Sequence, residues 1–194
     1  MRLCAVIGGP NTGKTLFTIN FVEYLGCRRL NVVTGGTRAR TSLTPQAARR
    51  SLVSPREFST RALMQLEIRL GRATRLTLVD TVAISDVVHP DISLRRVMAE
   101  TIDVIRRAHV ILHVVDSEAV TADNEGGLQP IDRAIATYAS TRKGYVILVN
   151  KIDAQAGRTA FVRVKQAYAG LPVFAISALR RRGFKEVRAF LNRC

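Results

Sequence analysis

The feature that most narrows what this chain can fold into is the stretch Gly8-Gly9-Pro10-Asn11-Thr12-Gly13-Lys14-Thr15. It lies between an apolar run, Arg2 to Ile7, and a helical pattern, Leu16 to Leu25, that Gly26 stops. Gly8 and Gly13-Lys14-Thr15 satisfy the spacing G-x-x-x-x-G-K-[ST], with a strand before and a helix after as that spacing requires. A polyphosphate can be cradled closely only where side chains vanish and backbone N–H groups converge with a helix N-terminus. Glycine leaves that room. Gly8, Gly9, Pro10, Asn11, Thr12, Gly13, Lys14 and Thr15 are therefore the expected phosphate cradle, with Lys14 bridging β- and γ-phosphates and Thr15 giving its hydroxyl to Mg²⁺.

The remaining pattern says what surrounds such a loop. "ALMQLEIRL" and "RLTLVD" read as a hairpin turning at Gly71-Arg72-Ala73 and ending at Asp80. Helices are expected over Ile92 to Arg107, Pro130 to Tyr138, Arg158 to Tyr168 and Phe184 to Leu191, and strands at Val110 to Asp116, "YVILVN" and "PVFAIS". Strands alternating with helices predict an α/β layer fold with a mostly parallel sheet, in a single domain over residues 1–194. One long irregular stretch, residues 31–59, interrupts the alternation, apart from a short helix that Thr44 caps and Pro45 opens. A connection of that length is expected to be functional or mobile.

The phosphate loop leaves the base open, and Asn150-Lys151-Ile152-Asp153, directly after the strand "YVILV", closes the question. An aspartate at a strand end can accept from both the ring N–H and the exocyclic amine of guanine, a donor pair that adenine lacks, while Lys151 covers the ring face. Ser177 and Ala178, in "ISAL" after the last strand, add a backbone N–H for the guanine carbonyl oxygen.

With these motifs the sequence resembles the small GTPases of the translation-factor-related (TRAFAC) class, most closely the Era/Der/FeoB branch, whose loop commonly reads G-x-P-N-x-G-K-[ST]. The resemblance covers essentially the whole chain. It implies a Ras-like, three-layer α/β/α fold whose six-stranded, mostly parallel sheet has the hairpin's first arm as its one antiparallel strand, and a cycle of GTP hydrolysis to GDP. It assigns Asp80 to Mg²⁺ through water and places Asp80, Thr81, Val82 and Ala83 in the second switch. Ala83 stands where the family has glycine, Val82 where it has proline, and Ile84 where other GTPases carry a water-orienting glutamine. In residues 31–59, the extended first switch, Thr37 is the leading candidate for the threonine that closes onto Mg²⁺, with Thr41 and Thr44 as alternatives. Potassium-activated relatives use the asparagine equivalent to Asn11 to hold a monovalent cation, so Lys14 and Asn11 are the expected catalytic residues and K⁺ the expected second cofactor. Asn11 as a loop-shaping residue is the alternative, and Arg38 or Arg40 could supply the charge in cis.

Composition bears on partners and compartment. Thirty basic residues stand against fifteen acidic ones, a formal charge of +15, and eleven arginines but two acids lie between Arg28 and Arg75. Such a field concentrates polyanions, and by analogy with Era-like proteins ribosomal RNA or the ribosome is the leading partner beyond GTP and GDP. The membrane surface ranks behind RNA, and a GTP-dependent homodimer is a further expectation. Cys4, Cys27 and Cys194 lack metal-ligand spacing and no apolar run approaches a membrane span, so a cytoplasmic protein is expected. His89, His109, His113 and Asp116 receive no catalytic role. Two rival readings remain: a GTP- or GDP-binding scaffold with negligible hydrolysis, and an ATP-using phosphate-loop enzyme, which must treat Asn150 to Asp153 as coincidence.

Overall fold

The buried runs decide the architecture. Val110–Asp116 and Tyr145–Asn150 are apolar on both faces, which suits only strands covered by helices on each side of a parallel sheet. The computed structural model of the protein describes residues 2–34, 40–53, 63–70, 74–84 and 90–194. In it β1 (Arg2–Ile7), β2 (Leu30–Thr34), β3 (Arg40–Leu43), β4 (Met64–Leu70), β5 (Thr74–Asp80), β6 (Val110–Asp116), β7 (Tyr145–Asn150) and β8 (Val173–Ala175) form one sheet in the order β3-β2-β4-β5-β1-β6-β7-β8. The strands β5, β1, β6, β7 and β8 are mutually parallel, and β4 pairs antiparallel with β5 from Met64↔Asp80 to Leu70↔Thr74. This is the expected six-stranded frame with its one antiparallel strand.

Two further strands extend that frame and correct the reading of residues 31–59 as irregular. β2 pairs antiparallel with both β3 and β4. Short segments such as Leu30–Thr34 are held by their neighbours, not by a local pattern, because Val32 and Leu30 are buried only once the sheet forms. The short helix in that stretch is present as α2 (Pro45–Leu52): the Thr44 hydroxyl accepts from Ala47 N at 3.2 Å and Pro45 sits in the first turn.

Helices α1 (Lys14–Tyr24), α2 and α6 (Phe184–Arg193) cover one face of the sheet, and α3 (Ile92–Arg107), α4 (Pro130–Ala139) and α5 (Gly157–Ala167) cover the other. On the first face Phe17 and Phe21 meet Phe184 edge-on at 5.5 and 5.6 Å between ring centroids, joining α1 to α6. Burying each side chain of this size contributes roughly 1.5–3 kcal/mol. On the second face the buried His113 bonds Tyr145 at 2.8 Å and Asp132 at 2.9 Å, tying β6, β7 and the first turn of α4 together. That network accounts for His113 as a structural residue. With the central strands parallel, the loops that follow β1, β5, β6, β7 and β8 all open at one rim, the carboxyl ends of the strands, where α/β sheets place their ligands.

Candidate functional site

The loop from Gly8 to Gly13 bridges the end of β1 and the first turn of α1. Gly8 lies at φ 144°, and a Cβ there would stand 2.1 Å from the Val114 carbonyl oxygen, so only glycine lets the loop lie against β6. Gly13 lies at φ 88°, where a Cβ would stand 2.5 Å from Asn150 Nδ2. Asn11, exposed at the crest, adopts φ 55°, a left-handed conformation that asparagine tolerates better than most residues. Thr12 and Lys14 turn inward, and their side chains donate to the Gly9 carbonyl at 3.2 and 2.6 Å. No side chain caps α1 and no acid occupies its first turn, the composition of a helix N-terminus that suits an anion.

Behind the loop, the Thr15 hydroxyl donates to Asp80 Oδ2 at 2.6 Å, and Asp80 is fully buried at the end of β5. Its Oδ1 has no hydrogen-bond partner among the described residues. Burial pushes the Asp80 carboxyl up to about 6, against the opposing pull of the Thr15 hydroxyl and Lys14. Burial likewise lowers the Lys14 ammonium to about 8, although Asp80 and Asp132 favour its charge. Both ions are under-solvated by the protein alone. A ligand that brings anionic oxygens to Lys14 and a cation to Asp80 relieves both. One orphaned carboxylate oxygen and one hydroxyl are hard donors of the kind Mg²⁺ accepts, and the described residues hold no cluster of three His, Cys, Asp or Glu that would suggest another metal. Magnesium, which takes most of its shell from phosphate and water, needs no larger protein set.

The residues expected from the sequence to read the base stand beside the loop. Asn150, buried at the end of β7, donates from Nδ2 to the Thr12 carbonyl at 2.7 Å and accepts at Oδ1 from Ala178 N at 2.8 Å. One side chain thus pins the phosphate loop to the turn after β8. Lys151 takes φ 60°, and its ammonium bonds Asp116 Oδ2 at 2.5 Å and Glu118 Oε2 at 3.4 Å. Partial burial draws its pKa down, but these two carboxylates outweigh burial and the net shift is upward. Asp153 is exposed, and a hydrogen bond from Ser177, with Arg180 and Arg182 nearby, holds its carboxyl below the usual range. Ser177 Oγ in turn accepts from Arg180 N at 2.9 Å.

The segment after β5 lies against the loop: Thr81 donates to Val6 O from its N–H at 3.2 Å and its hydroxyl at 2.9 Å, and Ile84 N donates to Gly8 O at 3.3 Å. Val82 and Ala83 are buried in the core. The structure therefore gathers residues 8–15, 80–84, 150–153 and 177–178 at one rim. Thr37, Arg38 and His89 lie outside the described residues, as does the Gly71-Arg72-Ala73 turn. Thr41 is exposed on β3, opposite Val32, and the Thr44 hydroxyl is committed to its helix cap. His109 accepts from Leu3 N at 3.2 Å. Asp116 both caps the turn after β6, accepting from Glu118 N at 3.0 Å, and holds Lys151. That second task escaped the sequence, as did the roles of Asn20, Glu23 and Arg49; the signal was polar Thr18 and Asn20 among the apolar residues Leu16 to Val22 of α1.

A family model described as 50S ribosome-binding GTPase matches residues 3–151. Among curated proteins, the GTPase Obg of Metamycoplasma arthritidis (strain 158L3-1) is 32% identical over 87 residues, 44% of this chain and 21% of that protein. Among solved structures, a variant of Aquifex aeolicus Era bound to GDP and AlF4⁻ superposes with a TM-score of 0.71 at 20% identity, covering 100% of this chain and 57% of that one. Era in complex with MgGDPNP and nucleotides 1506–1542 of 16S ribosomal RNA gives 0.72 at 19%, covering 99% and 56%. The G domain of the T. maritima FeoB transporter gives 0.61 at 15%, covering 100% and 98%. These structural likenesses concern the fold. The chain spans just over half the length of the Era proteins and about a fifth of the Obg protein.

Proposed function

Because the chain belongs to the family described as 50S ribosome-binding GTPase, we propose that it binds GTP and slowly hydrolyses it to GDP and phosphate as a molecular switch. The observation that carries this reading is the Asn150 amide, which reaches the phosphate loop at Thr12 and the Ala178 N–H at once. One nucleotide can thereby meet both its phosphate and its guanine partners. In this reading Gly8 to Thr15 hold the phosphates. Lys14 draws negative charge toward the β- and γ-phosphates, Asp153 accepts from the guanine ring N–H and amine, and Ala178 N–H turns from Asn150 toward the guanine carbonyl. Mg²⁺, held through Thr15 and Asp80, would supply counter-charge to the phosphate oxygens. Thr37 is the proposed first-switch threonine.

Slow turnover follows from the second switch. Ile84 offers no group to orient water, and its N–H is engaged by Gly8 O. K⁺ held by Asn11 is the proposed compensating charge. Asn11→Gly separates this role from loop shaping, because glycine keeps the left-handed crest and loses the side-chain carbonyl. GTP turnover in wild type is expected to rise in K⁺ over Na⁺, and the variant is expected to lose that difference. Equal turnover in both salts for wild type would leave Asn11 as a shaping residue.

A second reading, a nucleotide-binding scaffold with negligible hydrolysis, is favoured by the buried Ala83 and Val82, which tie the switch to the core. Multiple-turnover phosphate release decides between them. Wild-type turnover above that of Lys14→Ala supports the switch, and equal values support the scaffold. Competition of GTP against ATP tests the base assignment, which preference for ATP would overturn. Ribosomal RNA in a cytoplasmic setting is the proposed partner, supported by the charge of +15 and by the lack, among the described residues, of any helix long and apolar enough to cross a membrane. A GTP-dependent homodimer belongs to the same proposal, to be checked by light scattering with GTP and GDP analogues.

A further inference from the structure

Beside the nucleotide rim runs a chain of polar contacts that the motifs do not include. Asn20, buried on α1, donates from Nδ2 to Ala178 O at 2.8 Å, and its Oδ1 accepts from Arg49 of α2 at 2.9 Å. The same guanidinium bonds Glu23 Oε2 at 2.6 Å, and that carboxylate oxygen also accepts from Arg181 at 2.6 Å. Arg181 lies in the turn after β8 at φ 57°, a conformation costly for arginine. A bridge between Ser177 and Arg182 closes the turn, and Gly183, where a Cβ would stand 2.2 Å from Ala175 O, ends it. Two arms therefore reach the 177–182 turn from α2: one through Asn20 to the carbonyl of Ala178, the other through Glu23 to Arg181.

We propose that Arg49 is a positioning residue for guanine recognition, fixing through Asn20 and Glu23 the turn whose Ala178 N–H meets the guanine carbonyl. The inference rests on the guanine-nucleotide reading above and adds a residue from outside every nucleotide motif. Its chemistry is directional. The Asn20 amide can give its N–H to Ala178 O only while its oxygen is turned toward a donor, and Arg49 is that donor. Peptide orientation at Ala178 sets both its carbonyl and, through the adjoining peptides, the direction in which the turn presents its N–H. Both bonds leave one guanidinium nitrogen, Nη1, which joins Asn20 and Glu23 through its two N–H groups. Because α2 follows the β2–β3 extension without a break beyond Thr44, displacement of that extension moves Arg49 and with it the base-reading turn.

The test compares ligands that differ only at the acceptor read by Ala178: GDP and 6-thioguanosine diphosphate, whose sulfur is a weak acceptor. Equilibrium Kd is measured for wild type, Arg49→Ala, Asn20→Ala and the double variant, with thermal melting alongside. Arg49→Ala is expected to weaken GDP about tenfold, the scale of one hydrogen bond, while 6-thioguanosine diphosphate changes far less, so the preference between them falls. Asn20→Ala is expected to do the same, and the double variant to add little. Should Asn20→Ala fail to fold, Arg49→Ala, which removes a half-buried side chain, carries the test alone. Equal loss for both ligands would mean general loosening and would overturn the proposal, as would no loss for either. Wild type that does not prefer GDP over ADP would instead overturn the functional reading on which the proposal stands.

Discussion

Asp80 shows at single-residue scale what a buried carboxyl with one oxygen unpartnered among the described residues costs the fold. The carboxyl is fully buried, has one oxygen without a partner among the described residues, and is raised to about 6 from the ordinary 3.8. A folded pKa above the unfolded one means that stability is fully present below the unfolded value and is lost as pH rises through about 6. In metal chelator and without nucleotide, Asp80→Asn is therefore expected to be more stable than wild type at pH 7.5 by about 2 kcal/mol, from a shift of about two units at 1.36 kcal/mol each less the burial of the amide. The difference should shrink as urea unfolding is repeated toward pH 5, and the Mg²⁺ dependence of nucleotide affinity should vanish in the variant. A variant less stable than wild type at every pH would contradict the burial argument. Gly13 offers the converse case. Gly13→Ala combines φ 88° with a Cβ 2.5 Å from Asn150 Nδ2, so the strain alone is expected to cost about 1–3 kcal/mol in denaturant unfolding. Asn150→Ala added to that background should cost less than it does in wild type, since the Nδ2 bond to Thr12 is already disturbed and the bond from Ala178 N is what remains to be lost; fully additive costs would show the two residues to be independent.

The segment from β2 through α2 marks where elements escape a one-dimensional reading. Its helix was legible because Thr44 and Pro45 are local signals, whereas β2 and β3 were not, because a strand of four or five residues is specified by pairing partners distant in sequence. The same distinction runs through the site. Gly8, Gly13, Lys14 and Thr15 declare themselves as candidates because a phosphate cradle would be built from consecutive residues, and Asn150 to Asp153 because a base would be read from one strand end. Arg49, Asn20 and Glu23 form their cluster only when α2, α1 and the 177–182 turn pack together, and nothing in their spacing says so. The structure places two of the candidate threonines, Thr41 on β3 and Thr44 at the cap of α2. Thr44→Ala is expected to cost about 1 kcal/mol of stability, the worth of a helix cap, and to leave the ratio of GTP to GDP affinity unchanged. Thr37→Ala is expected to abolish the GTP preference with little effect on unfolding. The reverse outcome in filter-binding and unfolding assays would reassign the first-switch threonine to the helix cap.

Over the whole molecule the excess charge is divided unevenly between the two helical layers. Around α1, α2 and α6 the described surface exposes Arg28, Arg29, Arg50, Lys185, Arg188 and Arg193, and the acids there are Glu23, already spanned by Arg49 and Arg181, and Glu186. Around α3, α4 and α5 the bases are interspersed with Asp91, Glu100, Asp103, Glu118, Asp123 and Glu125, and pairs such as Arg107 with Asp103 and Arg133 with Glu125 neutralise part of the field. A polyanion is therefore expected to bind the first layer. Neutralising Arg50 and Arg188 to alanine should lower the slope of log K against log salt for single-stranded RNA by about 1.4, at roughly 0.7 for each phosphate that the protein ceases to neutralise. Neutralising Arg95 and Arg96 on α3 removes the same formal charge from the other layer and should leave the slope unchanged. Equal slopes for the two double variants would show that net charge alone attracts RNA, whereas a difference confined to the first pair would place the nucleic acid against the layer of α1, α2 and α6.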